Sequence, residues 1–126
     1  MPRSWPDKFR DAFRGLWLAT GHERSFLVHL PTAVAVAVCG ALLRVTLVEA
    51  CILGLCITIV LVAEVFNTAV EYLAHEITQE RRPNMARALQ IASGAVLMAS
   101  IGAAVIGTAL LGNRLGIALG WWTGLR

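Results

Sequence analysis

Glu64-Val65-Phe66-Asn67-Thr68-Ala69-Val70-Glu71 closes a long apolar run that begins near Val45. A run of that kind predicts a membrane-spanning helix, yet this one carries two carboxylates and an amide. At about 3.6 residues per turn, positions 64, 67, 68 and 71 follow the i, i+3, i+4, i+7 pattern of one helix face. Glu64, Asn67, Thr68 and Glu71 therefore share a stripe, while Val65, Phe66, Ala69 and Val70 take the other faces. A carboxylate at membrane depth costs about 2.5–3.5 kcal/mol on insertion scales and is tolerated against a protein interior, a watery cleft or a cation.

Two readings of the stripe follow. In one, the helix has reached the interface and its charges are solvated. In the other, a polar, metal-capable stripe stands at the mouth of a bundle. Carboxylates spaced i, i+7 suit a hard cation such as Mg²⁺, which takes one or two carboxylates plus phosphate oxygens. One of them can instead serve as a general base on a hydroxyl.

The composition agrees with a membrane protein. The chain of 126 residues is 57% hydrophobic and 15% charged, with a mean hydropathy of +0.67. Such a length predicts one domain, here residues 1–126. Cys39, Cys51 and Cys56 all lie in apolar segments; an odd count without paired spacing argues against a disulfide framework or a zinc site. Lys8, Arg10, Arg14 and Arg24 precede the first apolar segment, and Arg81, Arg82 and Arg87 lie between the second and third. Only Arg44 separates the first two, and Arg114 and Arg126 follow the third. The positive-inside rule then predicts a multi-pass membrane protein with its N-terminus and second loop cytoplasmic and its C-terminus outside. No cleavable signal is expected, because the first apolar run starts late and is long for one.

Taken in order, residues 7–20 predict an amphipathic helix: Phe9, Phe13, Leu16, Trp17 and Thr20 share a face, with Lys8, Asp11 and the arginines elsewhere. It suits the membrane interface or the flank of the bundle. Transmembrane helices are expected over 26–43, 47–75 and 85–112, with a tail over 113–126. Pro31 falls near the start of the first, where a helix accepts it. Leu43-Arg44-Val45-Thr46 is a tight turn, and Glu49 starts the second span, where acid suits a helix N-terminus. The second span overshoots the bilayer, carrying Glu71 beyond it. His75, one turn further, reads as a local hydrogen-bond partner of Glu71 or a metal ligand, and His29 as an interface residue. The third span is rich in Ala, Gly and Ser, which let helix backbones approach closely. The fold class is thus all-α: one interfacial helix and three transmembrane helices. Three spans are a poor container for a ligand, so self-association with a site between copies is expected.

The octapeptide resembles the signature of the small prokaryotic integral-membrane lipid kinases, the diacylglycerol kinase and undecaprenol kinase family. Phe9-x-x-Ala12-x-x-Gly15-Leu16, Glu23-x-x-Phe26-x-x-His29 and Ala92-Ser93-Gly94-Ala95-Val96-Leu97 extend the likeness over roughly residues 8 to 112. The resemblance implies a homotrimer, without a nucleic-acid partner, that transfers the γ-phosphoryl group of MgATP to the hydroxyl of a membrane lipid alcohol, diacylglycerol or undecaprenol. It implies Glu64 as general base and Asn67 as its amide partner in catalysis. It implies Glu23 and Glu71 as the carboxylates holding Mg²⁺ on the ATP phosphates. It implies Glu80 as an acidic nucleotide contact, and Asp11, Arg82, Arg87 and Gln90 are further candidate nucleotide contacts of this chain.

The chain departs from the family pattern in places. Leu89 and Gln90 stand where the family carries a Lys-Asp pair, His75 where an aspartate is usual, and Arg82 where a histidine often stands. Arg82 and Arg87 offer compensating positive charge. Failing that, the chain is a catalytically impaired lipid- or nucleotide-binding protein on the same scaffold. A small transporter using Glu64 as a proton site is a third reading, which leaves Glu23, the second loop and the N-terminal helix without a role.

Overall fold

The computed structural model describes residues 3–77, 79–80 and 82–123, apart from the side chain at position 22. Arg81 and Arg126, counted in the charge asymmetry, lie outside the described residues. Four helices follow one another: α1 (Trp5–His22), α2 (Phe26–Leu42), α3 (Leu47–Ile77) and α4 (Pro83–Ala118). No strand occurs among the described residues.

Helix α1 starts where its sequence directs. The Ser4 hydroxyl accepts from the Asp7 amide at 3.4 Å, and Pro6 sits in the first turn, where a missing N–H costs nothing. Trp5, Phe9, Phe13 and Trp17 are left exposed along it, whereas Ala19 is buried. Its axis meets that of α2 at 101°. Pro31 lies inside α2, its sixth residue, rather than at the start. Lacking an N–H, it leaves the carbonyl of Leu27 without its usual partner in the helix.

The α2–α3 turn uses a left-handed residue, Arg44 at φ 53°, and the Val45 amide donates back to the Gly40 carbonyl at 3.2 Å. Thr46 and Glu49 then cap α3 reciprocally. The Thr46 amide donates to Glu49 Oε2 at 2.7 Å, and the Glu49 amide donates to Thr46 Oγ1 at 3.3 Å.

Helices α3 and α4 form the body of the fold. With 31 residues, α3 is about 46 Å long, and α4, with 36, about 54 Å; both exceed a hydrocarbon core of about 30 Å. These two are apolar and long enough to cross a membrane; three crossings result if the bent α1–α2 pair counts as one. The expected tail is shorter than the sequence suggests. Helix α4 runs through Asn113 and Arg114 to Ala118 instead of closing at Gly112. It continues because Arg114 turns inward onto Glu49: Nη2 lies 2.6 Å and Nε 2.8 Å from Glu49 Oε2.

Two contacts fix the antiparallel register of α2 on α3. His29 faces Glu64, and a methyl on Gly40 would sit 3.5 Å from Leu53 Cδ1. The register of α3 on α4 is fixed at one end by Glu49 with Arg114 and near the other by Asn67 with Ser93.

Candidate active site

The stripe on α3 faces the protein interior. Glu64 is 2% exposed, Thr68 3% and Asn67 9%, with Glu71 half-buried, while Phe66 points outward. The reading in which the charges are solvated at an interface is therefore overturned. Helical spacing places the four side chains on one face, and packing against α2 on one side and α4 on the other removes Glu64, Asn67 and Thr68 from solvent.

Each polar group has a definite environment. Glu64 Oε2 lies 3.7 Å from His29 Nε2, too long for a hydrogen bond. His29 is thus not a bystander at the interface, as its sequence context suggested; it is half-buried against the carboxylate. Asn67 Nδ2 donates to Glu71 Oε1 at 2.9 Å, and Asn67 Oδ1 accepts from Ser93 Oγ at 3.4 Å. The amide therefore ties the carboxylate of Glu71 to α4 and fixes its direction. Asn67, not His75, is the partner of Glu71; His75 is exposed and makes no hydrogen bond to it. Thr68 Oγ1 is buried without a hydrogen-bond partner.

Glu23 caps the C-terminus of α1 at the corner where the chain turns into α2, and it is half-buried. The chain leaves the helical register there, at the 101° bend between α1 and α2. Glu23 and Glu71, the two carboxylates expected to hold a metal, share no hydrogen bond or cavity lining among the described residues. Among the described residues no group of three or more His, Cys, Asp or Glu side chains gathers for a metal ion. Two carboxylates with phosphate oxygens nonetheless fit Mg²⁺, which seldom takes an all-protein cage. Glu71 gives one lone pair to Asn67 and retains others, so the donor chemistry suits a hard cation.

Beyond the stripe, a cleft of about 660 Å³ opens between the end of α3 and the start of α4. Glu80, Arg82, Leu89 and Gln90 line it, bringing three of the expected nucleotide contacts together. Two others fall elsewhere. Arg87 is exposed, donating to Asn84 Oδ1 at 3.4 Å, and does not line the cleft. Asp11 is held by Arg3 at 3.0 Å on α1. Leu89 puts an apolar wall where the family pattern has a cation, and Arg82 supplies positive charge in the same cleft.

Sequence reasoning missed His29, Ser93 and the Glu49–Arg114 pair. A signal existed for the first: a turn as short as Leu43–Thr46 restricts the hairpin register, and Glu64 needs a neighbour on α2.

Comparison with known proteins identifies the family. The profile of prokaryotic diacylglycerol kinase matches residues 10–111. The chain is 34% identical over 99 residues to an undecaprenol kinase of Bacillus subtilis, covering 79% of this chain and 80% of that protein. It is also 34% identical over 104 residues to a diacylglycerol kinase of Synechocystis, covering 82% of this chain and 59% of that longer protein. No solved structure matches. A buried carboxylate on an apolar helix, with a second carboxylate beside it, belongs here to a membrane-embedded lipid kinase. The chain is a member of the prokaryotic diacylglycerol kinase family.

Proposed function

We propose that the chain transfers the γ-phosphoryl group of ATP to the hydroxyl of a membrane lipid alcohol, diacylglycerol or undecaprenol, with Glu64 as general base. The observation that carries this reading is the burial of Glu64 at 2% exposure on a stripe that also holds Asn67 and Glu71. A carboxylate kept from water, with no strong cation bound to it, is well placed to take a proton from an alcohol arriving from the bilayer. The lipid oxygen forms a bond to the γ-phosphorus as the bond from that phosphorus to the bridging oxygen of ADP breaks. The proton of the hydroxyl passes to Glu64.

Phosphoryl transfer depends chiefly on positioning and charge neutralisation. Asn67 positions Glu71, and Glu23 with Glu71 would hold Mg²⁺, which when bound offsets phosphate charge. The cleft lined by Glu80, Arg82 and Gln90 takes the nucleotide, and Arg82 supports activity despite Leu89. Arg87 and Asp11 remain peripheral nucleotide contacts in this reading.

The working unit is a homotrimer in the inner membrane with three crossings per chain and a cytoplasmic N-terminus. A groove of about 560 Å³ along α3 and α4, floored by Ala63, Ala88, Ala92 and Ala95, suits a helix of a neighbouring copy. The exposed aromatic face of α1 and its 101° bend suit a helix lying in the interface.

A second reading, a catalytically impaired binding protein, draws support from Leu89 in the nucleotide cleft. A panel of lipid alcohols offered with labelled ATP and Mg²⁺ in detergent micelles separates the two. Label in one lipid class supports the kinase; saturable MgATP binding without label in any lipid supports the alternative.

A further inference from the structure

The hydroxyl of Thr68 is the anomaly of the site. Thr20, Thr32 and Thr58 each return their hydroxyl to the carbonyl four residues earlier, at 2.9, 2.7 and 2.8 Å. That bond is the ordinary use of a threonine inside a helix. Thr68 does not make it: at 3% exposure its Oγ1 has neither a helix carbonyl nor any other hydrogen-bond partner among the described residues. A buried hydroxyl left unpaired costs stability, and such a group calls for an explanation. Glu64, one turn earlier on the same face, makes no hydrogen bond among the described residues, and its one ion pair there is with His29 at 3.7 Å. Side chains spaced i, i+4 stand about 5–6 Å apart at Cβ, so one oxygen atom can bond to both. Counting about 20 residues from the outer end of α3 also places the far hydrocarbon boundary near Thr68, at the depth of a lipid hydroxyl.

We propose that Thr68 is the second binding group for the acceptor alcohol: its O–H donates to the lipid hydroxyl oxygen while that hydroxyl donates to Glu64. This rests on the lipid-kinase reading and adds a residue to it. Thr68 fixes the nucleophilic oxygen with one lone pair engaged and one directed to phosphorus, and its role is to bind an alcohol, not an acyl chain. The acceptor hydroxyl supplies the partner that Oγ1 lacks among the described residues.

The test compares wild type with Thr68→Val, Thr68→Ser and Thr68→Ala, using dioleoylglycerol and undecaprenol as acceptors. Thr68→Val keeps the shape and deletes the hydroxyl. KM for the lipid is expected to rise about tenfold or more, with KM for ATP unchanged and Thr68→Ser close to wild type. Without lipid, Thr68→Val should melt no lower than wild type, since it removes an unpaired group. The rise in melting temperature on adding the lipid alcohol without ATP should be lost in Thr68→Val and kept in Thr68→Ser. If Thr68→Val fails to fold, Thr68→Ala carries the same comparison, and the failure itself counts against an unpaired hydroxyl. The proposal is overturned if Thr68→Val keeps the wild-type KM for lipid, or if it dissociates the oligomer, which would assign the hydroxyl to a neighbouring copy. Wild-type protein that phosphorylates no alcohol and gains no thermal shift from one would sink the kinase reading itself; an active wild type with an indifferent Thr68→Val sinks only this assignment.

Discussion

Replacing Arg114 with Met tests the packing that sets the register of the site. Arg114 places Nη2 and Nε at 2.6 and 2.8 Å from one oxygen of Glu49, and both side chains are only about a fifth exposed, 22% and 21%. Methionine keeps most of the volume and removes the charge. Breaking a fully buried pair costs about 3–5 kcal/mol, because the surviving charge is stranded. Here Glu49 retains the Thr46 amide at 2.7 Å and the N-terminal end of α3, and it keeps some contact with solvent. The loss should therefore fall below that range, at about 2 kcal/mol, or roughly thirtyfold in the folding equilibrium. Glu49→Gln combined with Arg114→Met should recover part of the loss, since the two side chains form one unit. Reversible unfolding of purified protein in mixed micelles, titrated with sodium dodecyl sulfate at fixed protein concentration, measures both. An Arg114→Met variant within about 0.5 kcal/mol of wild type, the scatter of ordinary surface changes, would refute the reasoning. Strict additivity in the double variant would refute the coupling.

Three further outcomes follow from the same contacts. Asn67→Leu removes the tether between Glu71 and Ser93 and should lower kcat by about 10- to 100-fold, the usual loss when a group orienting a metal-holding carboxylate is removed, measured by labelled-phosphate transfer. Gly40→Ala places its methyl 3.5 Å from Leu53 and Val45, an ordinary contact, and should be neutral or slightly stabilising; Gly40→Leu should cost about 1–3 kcal/mol in the same unfolding assay by forcing α2 from α3. Leu89→Lys restores a cation to the nucleotide cleft and should lower KM for ATP or raise kcat; a fall in both kcat and kcat/KM would show that Arg82 already fills that role.

The polar stripe was legible because carboxylates in an apolar run leave few options, and because helical spacing alone brings Glu64, Asn67, Thr68 and Glu71 to one face. The start of α3 was legible for a similar reason: Glu49 at a helix N-terminus is a local signal, and the cap with Thr46 realises it. Partners across helices were not legible. Whether His29 meets Glu64, or Ser93 meets Asn67, depends on rotation and register, which single-helix periodicity does not contain. Asn113-Arg114 looked like a terminus because polar residues usually end a span; pairing of Arg114 with Glu49 lets α4 continue to Ala118. Glu23 with Glu71 was proposed from resemblance alone, because a corner outside any helix carries no periodicity from which its position could be read.

Single-turnover transfer of labelled phosphate to a lipid alcohol, by wild type and Glu64→Gln in the same detergent with saturating ATP and Mg²⁺, bears most directly on the role given to Glu64. Wild type should label the lipid, and Glu64→Gln, equally folded and equally able to bind nucleotide, should be slower by at least about 10²-fold. Equal rates in the two proteins would contradict the account.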